Sequence, residues 1–101
     1  MAKSTTISLD SIVSVAADQV SCELDGEAAI LNLKTGSYFG LDPIGAMVWS
    51  LIAGPIAVHE IVDAIVAQYD VKRARCQQDL LALLATLDQR SLILIGDGHG
   101  R

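Results

Sequence analysis

The chain has 101 residues, 51% of them hydrophobic, and its 7 basic and 12 acidic residues leave a net charge of −5. That length makes one domain able to bury roughly 60–70% of its unfolded surface, and the composition excludes a disordered tail. The acid excess opposes nucleic acid and anionic membranes as partners, because both want a basic face, and one Trp, one Phe and two Tyr make no base-stacking platform.

The first ten residues, MAKSTTISLD, hold no apolar segment of the kind an export signal needs. The most apolar stretch, 46–58, is broken by Ser50, Gly54 and Pro55 and falls short of the ~18 residues that span a bilayer. Cys22 and Cys76 form no CxxC motif, so the expectation is a cytoplasmic protein with free thiols.

In chain order, residues up to about Leu41 carry strand signals and residues from Asp42 to about Arg90 carry helix signals. The implied class is α+β: a three-stranded antiparallel sheet followed by three helices. Ile12 to Ala16 reads as a strand. Val20, Cys22 and Leu24 alternate with polar neighbours, and Asp25-Gly26 then marks a two-residue hairpin turn. The turn pairs Leu24 with Glu27, Cys22 with Ala29 and Val20 with Leu31. Val20, Cys22, Ala29, Leu31 and Leu33 are assigned to the core face. Ala28, Ile30 and Asn32 fall on the other face, where Ile30 reads as a lone exposed apolar residue. Residues 34–37 (KTGS) make a second turn, and Tyr38 to Leu41 extend from it.

The first helix opens on Asp42 as N-cap and Pro43 as first helical residue, and closes at Gly54-Pro55. The second carries Val58, Ile61, Val62, Ile65, Val66 and Tyr69 at helical spacing. The third, about Lys72 to Arg90, has Cys76, Leu80, Leu83, Leu84 and Leu87 on its stripe. Leu81, Ala82 and Ala85 widen it beyond one face. Leu92 to Ile95 reads as a short strand. One domain is expected over 1–101, with its core at about 12–95 and flexible tails. The second and third helices resemble a helix-turn-helix pair.

A search for chemistry comes back nearly empty. His59 and Cys76 are the available nucleophilic pair, and the plainer reading makes His59 solvated and Cys76, like Cys22, a small core residue. No metal-ligand spacing and no phosphate loop are present. Lys72, Arg73 and Arg75 gather at the start of the third helix, where the macrodipole disfavours cations; they read as a solvated helix end or a site for an external anion.

Residues 34–55, KTGSYFGLDPIGAMVWSLIAGP, resemble the signature of the PqqD-like family through Gly36, Tyr38, Phe39, Leu41, Asp42, Gly45, Ala46 and Trp49. The stretches AVHEIVDAIVAQYDV and CQQDLLALLATLDQRSLI are similar to that family's second and third helices, and the likeness covers about 12–95. The small free-standing form most resembles the lasso-peptide branch. The resemblance implies a winged helix-turn-helix fold with no catalytic role and no cofactor. It implies a recognition element for the leader of a ribosomally made, post-translationally modified peptide. Its partners would be that leader, a transglutaminase-like leader peptidase and a cyclase. Two departures stand out: Ala57 replaces the usual Thr or Ser before the second helix, and Gln77 and Gln78 precede Asp79 where Arg is common.

In related complexes the leader adds as a strand. The stretch from Glu27 to Leu33, with no Pro and one charge, reads as the edge template for it. The expected peptide-binding residues are therefore Ala28, Ala29, Ile30, Leu31, Asn32 and Leu33 for the backbone ladder. Arg75, Cys76, Asp79, Leu80, Leu83 and Leu84 are the expected opposing wall. Phe39 and Trp49 are expected in the core. The rival readings are a DNA-binding winged helix-turn-helix regulator, opposed by charge and by the apolar third helix, and a small enzyme using Cys76.

Overall fold

The computed structural model describes residues 7–17, 19–24 and 27–96. The Asp25-Gly26 turn, Asp18, His99 and the chain ends lie outside the described residues. The elements are β1 (Ile12–Val15), β2 (Gln19–Leu24), β3 (Glu27–Asn32), β4 (Tyr38–Leu41), α1 (Pro43–Leu51), β5 (Ile56–Ala57), α2 (Val58–Gln68), α3 (Arg73–Gln89) and β6 (Ile93–Gly96). The class is α+β with antiparallel strands and three helices, as the sequence predicts. The single sheet is not: the strands form two three-stranded sheets, ordered β5-β1-β6 and β2-β3-β4. β1 leaves the hairpin and pairs Val13 with Ile56 on one side and Ile95 on the other. Two residues of β5, after Pro55, are too short to announce themselves by alternation.

The hairpin register is the expected one: Leu24 faces Glu27, Cys22 faces Ala29 and Val20 faces Leu31. Its faces are reversed. Ala28, Ile30 and Asn32 are buried, Ile30 completely, whereas Val20, Cys22, Leu31 and Leu33 are exposed and Ala29 half-buried. The cause lies beyond the hairpin. β4 pairs Phe39 with Ile30 and Leu41 with Ala28, and α1 packs on β3 and β4, so their shared face becomes the interior. Asn32 is buried with its work done locally. Its Oδ1 accepts from the N–H groups of Lys34 and Thr35 at 2.9 and 3.1 Å, shaping the turn in which Gly36 takes φ 74°.

The helices begin and end near their sequence signals. Asp42 Oδ1 accepts from Gly45 N–H at 2.8 Å, and Pro43 opens α1. Gly45 is buried, and a Cβ there would meet Leu41 at 3.1 Å, so the glycine lets α1 close onto the end of β4. α2 starts at Ala57 with no side-chain cap, as the Ala57 departure predicts. α3 ends in a hydrogen-bonded reversal: Leu92 N–H donates to Leu87 O at 2.9 Å and Ser91 N–H to Asp88 O at 3.0 Å. Ser91 sits there at φ 61°, a place usually held by glycine. Trp49 is buried and Phe39 half-buried against the core.

Candidate functional site

The sheet β2-β3-β4 has β3 as its central strand, and β2 and β4 are edges with no further strand partner among the described residues. The expectation that 27–33 forms an open edge is therefore corrected. The backbone of Ala28 to Asn32 is engaged on both sides, and Leu33 lies past the strand in an exposed turn. Sequence alternation finds strands but not their lateral order, which is why the wrong strand carried the edge assignment.

Antiparallel alternation decides which backbone groups of β4 remain free. Asn32 N–H donates to Ser37 O at 2.9 Å, so this pair is hydrogen-bonded. Counting from it, Phe39 and Leu41 bond to β3, and Tyr38 and Gly40 aim their N–H and C=O groups away from it.

Beside the end of β4 lies a cleft of about 230 Å³ between the start of α1, α2 and α3. Five of the expected wall residues line it: Arg75, Cys76, Asp79, Leu80 and Leu83. Leu84 does not; it is fully buried in the core. Asp42, Ile44, Gly45, Ile65 and Val71 complete the lining and were not anticipated. The signal available for Asp42 and Gly45 was their place in the α1 cap, which looked purely structural.

The basic cluster is largely spent inside the molecule. Arg73 bridges to Asp63 of α2 at 2.9 Å, and Arg75 Nε meets Asp79 at 3.1 Å one helical turn on. An external anion is therefore not needed to account for Arg73 and Arg75. At the cleft floor, burial pushes the Cys76 thiol pKa up, Arg73 pulls it down and Asp79 adds to the rise. Such a thiol is a poor nucleophile at neutral pH. Cys22, expected in the core, is exposed on the sheet's outer face. His59 is exposed at the start of α2, whereas Cys76 is buried. Among the described residues no three His, Cys, Asp or Glu side chains gather as a metal set, and no helix is long and apolar enough to cross a membrane.

A free strand edge next to an apolar cleft with a polar rim is suited to an extended peptide. The edge offers a backbone ladder and the cleft takes a side chain. Residues 27–93 match the profile of coenzyme PQQ synthesis protein D (PqqD), and the chain belongs to that family. Among solved structures it is similar to TbiB1 in complex with the TbiA(beta) leader peptide: 40% identity over 79% of this chain and 93% of that one, TM-score 0.74. It also shares its fold with a lasso peptide synthetase B1 complexed with the leader peptide. There the identity is 17%, the coverage 81% of this chain and 96% of that one, and the TM-score 0.72. No curated protein matches the sequence.

Proposed function

We propose that this chain is a non-catalytic recognition protein for the leader of a ribosomally made precursor peptide of the lasso class. The leader adds as a strand to the free edge of β4, with α3 as the opposing wall, and is delivered from there to a leader peptidase and a cyclase in the cytoplasm. The observation that carries this reading is the open β4 edge beside the α3 cleft, in a chain 40% identical to a protein solved with a leader peptide. We read α2 and α3 as the helix-turn-helix and β6 as its wing. A DNA-binding role finds no support in the family or the structural relatives, and a net charge of −5 opposes it.

For the peptidase we propose the outer face of β2-β3-β4 as the docking surface. Val20, Leu31 and Tyr38 are 51%, 38% and 68% exposed there, and Leu33 in the turn after β3 is 59% exposed, an apolar patch that no described element covers. A strand added to β4 beside Tyr38 enlarges that same face. The peptidase would then meet the loaded protein on a wider surface than the empty one.

The test titrates labelled TbiA(beta) leader peptide with the wild type and with Gly40→Pro. Proline at Gly40 removes a donor aimed at the added strand and spares the β3–β4 ladder. The wild type should saturate, and Gly40→Pro should bind at least about tenfold more weakly with an unchanged circular dichroism spectrum. Undiminished binding by Gly40→Pro overturns strand addition at β4. No binding by the wild type overturns the leader reading.

A further inference from the structure

Arg90, the C-cap of α3, stands apart from the cluster at the other end of that helix. Its guanidinium lies 5.1 Å from the centre of the Phe39 ring. Stacking occupies the flat face of a guanidinium and leaves its N–H edge free to donate. Arg73 and Arg75 each hold a carboxylate, whereas Arg90 forms no ion pair among the described residues. Its root is fixed, because the hydrogen-bonded reversal at Ser91 and Leu92 pins the end of α3.

Phe39 is on the open strand. The inner face of the sheet carries the cross-strand row Ser21, Ile30, Phe39. A strand added to β4 continues that row, and its residue opposite Phe39 has a Cβ about 4.5–5.5 Å from that of Phe39. That side chain rises beside the guanidinium held over the ring. Two residues away, the inner-face neighbour of Leu41 rises at the cleft end, beside Asp42, Ile44 and Leu83. Every pairing in this sheet is antiparallel. An antiparallel newcomer meets Leu41 first and Phe39 two residues later.

Resting on the leader-binding reading above, we propose that Arg90 is a specificity residue that selects an acidic side chain in the bound peptide. This residue sits two positions after the apolar one that enters the cleft. The recognised pattern on the inner face is therefore apolar, any residue, acidic, read from N to C. A charge-assisted pair at a site walled by Phe39 and α3 is shielded from water on its inner side, which strengthens it relative to one on an open surface.

The experiment uses a set of TbiA(beta) leader peptides in which each position in turn is Glu, Gln or Lys. They are titrated against the wild type, Arg90→Gln and Arg90→Glu. At a single position, two residues after an apolar one, the wild type should prefer Glu over Lys by about tenfold. Arg90→Gln should abolish that preference, and Arg90→Glu should reverse it. A preference unchanged in the Arg90 variants overturns the proposal, as does equal weakening of all peptides, which would make Arg90 only a cover for Phe39. If Arg90→Glu fails to fold, the Arg90→Gln comparison decides alone. Wild type that binds none of the peptides would instead overturn the leader reading.

Discussion

The two faces of β2-β3-β4 share one backbone and differ in nearly everything else. The inner face, with Ala28, Ile30, Asn32, Phe39 and Leu41, lies under α1 and joins the core. The outer face, with Val20, Cys22, Leu31 and Tyr38, is at least as apolar and stays open. Apolar character therefore does not decide which side is inside; helix coverage does. β2 makes the point on its own, since its inward positions Gln19 and Ser21 are polar and its outward Val20 and Cys22 are not. That open apolar face is the surface proposed above for the peptidase.

The sharpest way to break this comparison is to truncate neighbours on opposite faces of β3. Ile30→Ala leaves a cavity at a fully buried position and should cost about 2–5 kcal/mol in urea unfolding. Leu31→Ala, one residue on and 38% exposed, should cost about 1 kcal/mol or less. Similar costs for the two would mean that the outer face is also packed, and its assignment as a docking surface would fail.

A second contrast uses the thiols. Cys22 on the outer face should react with an alkylating reagent at close to a free-thiol rate. Cys76, buried with its pKa raised, should lag by about a hundredfold or more at pH 8. The same shift has a consequence for stability. The unfolded chain releases the Cys76 proton at lower pH than the folded chain does. Unfolding is therefore favoured as pH rises past the ordinary thiol value of 9.0. Cys76→Ala should remove that alkaline loss, read as the change in urea midpoint between pH 8 and 10.

How much of this was open to reading without coordinates can be traced residue by residue. Asp42, Pro43 and the stripes of α2 and α3 announce themselves because caps and helical periods are local. The 24–27 pairing was legible for the same reason, since two residues fix the register of a hairpin. The face of that hairpin was not. Reading the β2–β3 hairpin alone, Val20, Cys22 and Leu24 outweigh Ile30, and only the nonlocal arrival of Phe39 and Leu41 reverses the answer. The order of strands was hidden likewise, so the edge assignment fell on β3 rather than β4. Of the expected wall, Arg75, Cys76, Asp79, Leu80 and Leu83 do gather around the cleft, because one helix face carries them all. The five cleft residues from α1, α2 and the α2–α3 link needed the packing to appear.

The seam between the two sheets gives a smaller effect. Gln19 Nε2 donates to Leu92 O at 2.9 Å and also to Ala16 O, tying the start of β2 to the start of β6. Its Oε1 is buried with no hydrogen-bond partner among the described residues. Gln19→Ala removes two hydrogen bonds to part-buried carbonyls, of which Leu92 O keeps the Ala16 N–H, with an expected net cost of about 1 kcal/mol in urea unfolding. A neutral outcome would mean that the orphaned Oε1 already offsets the two bonds, and that the open sheet is not anchored at this corner.

The smallest expected effect belongs to the pair at the cleft rim. Arg75 and Asp79 are 73% and 66% exposed and one helical turn apart, so their pairing is worth about 0.3–0.5 kcal/mol. Arg75→Gln and Asp79→Asn should each cost no more than that in urea unfolding. The double variant should cost about the same as either single one, since both remove the same interaction. In leader binding the pair is already neutralised, so Arg75→Gln should shift affinity by less than about threefold and leave its salt dependence nearly flat. A larger shift, with a salt slope that Arg75→Gln abolishes, would mean that Arg75 leaves Asp79 for the peptide. Charge reading would then run along the whole groove rather than at the Arg90 end, where the guanidinium over Phe39 pairs with no carboxylate among the described residues.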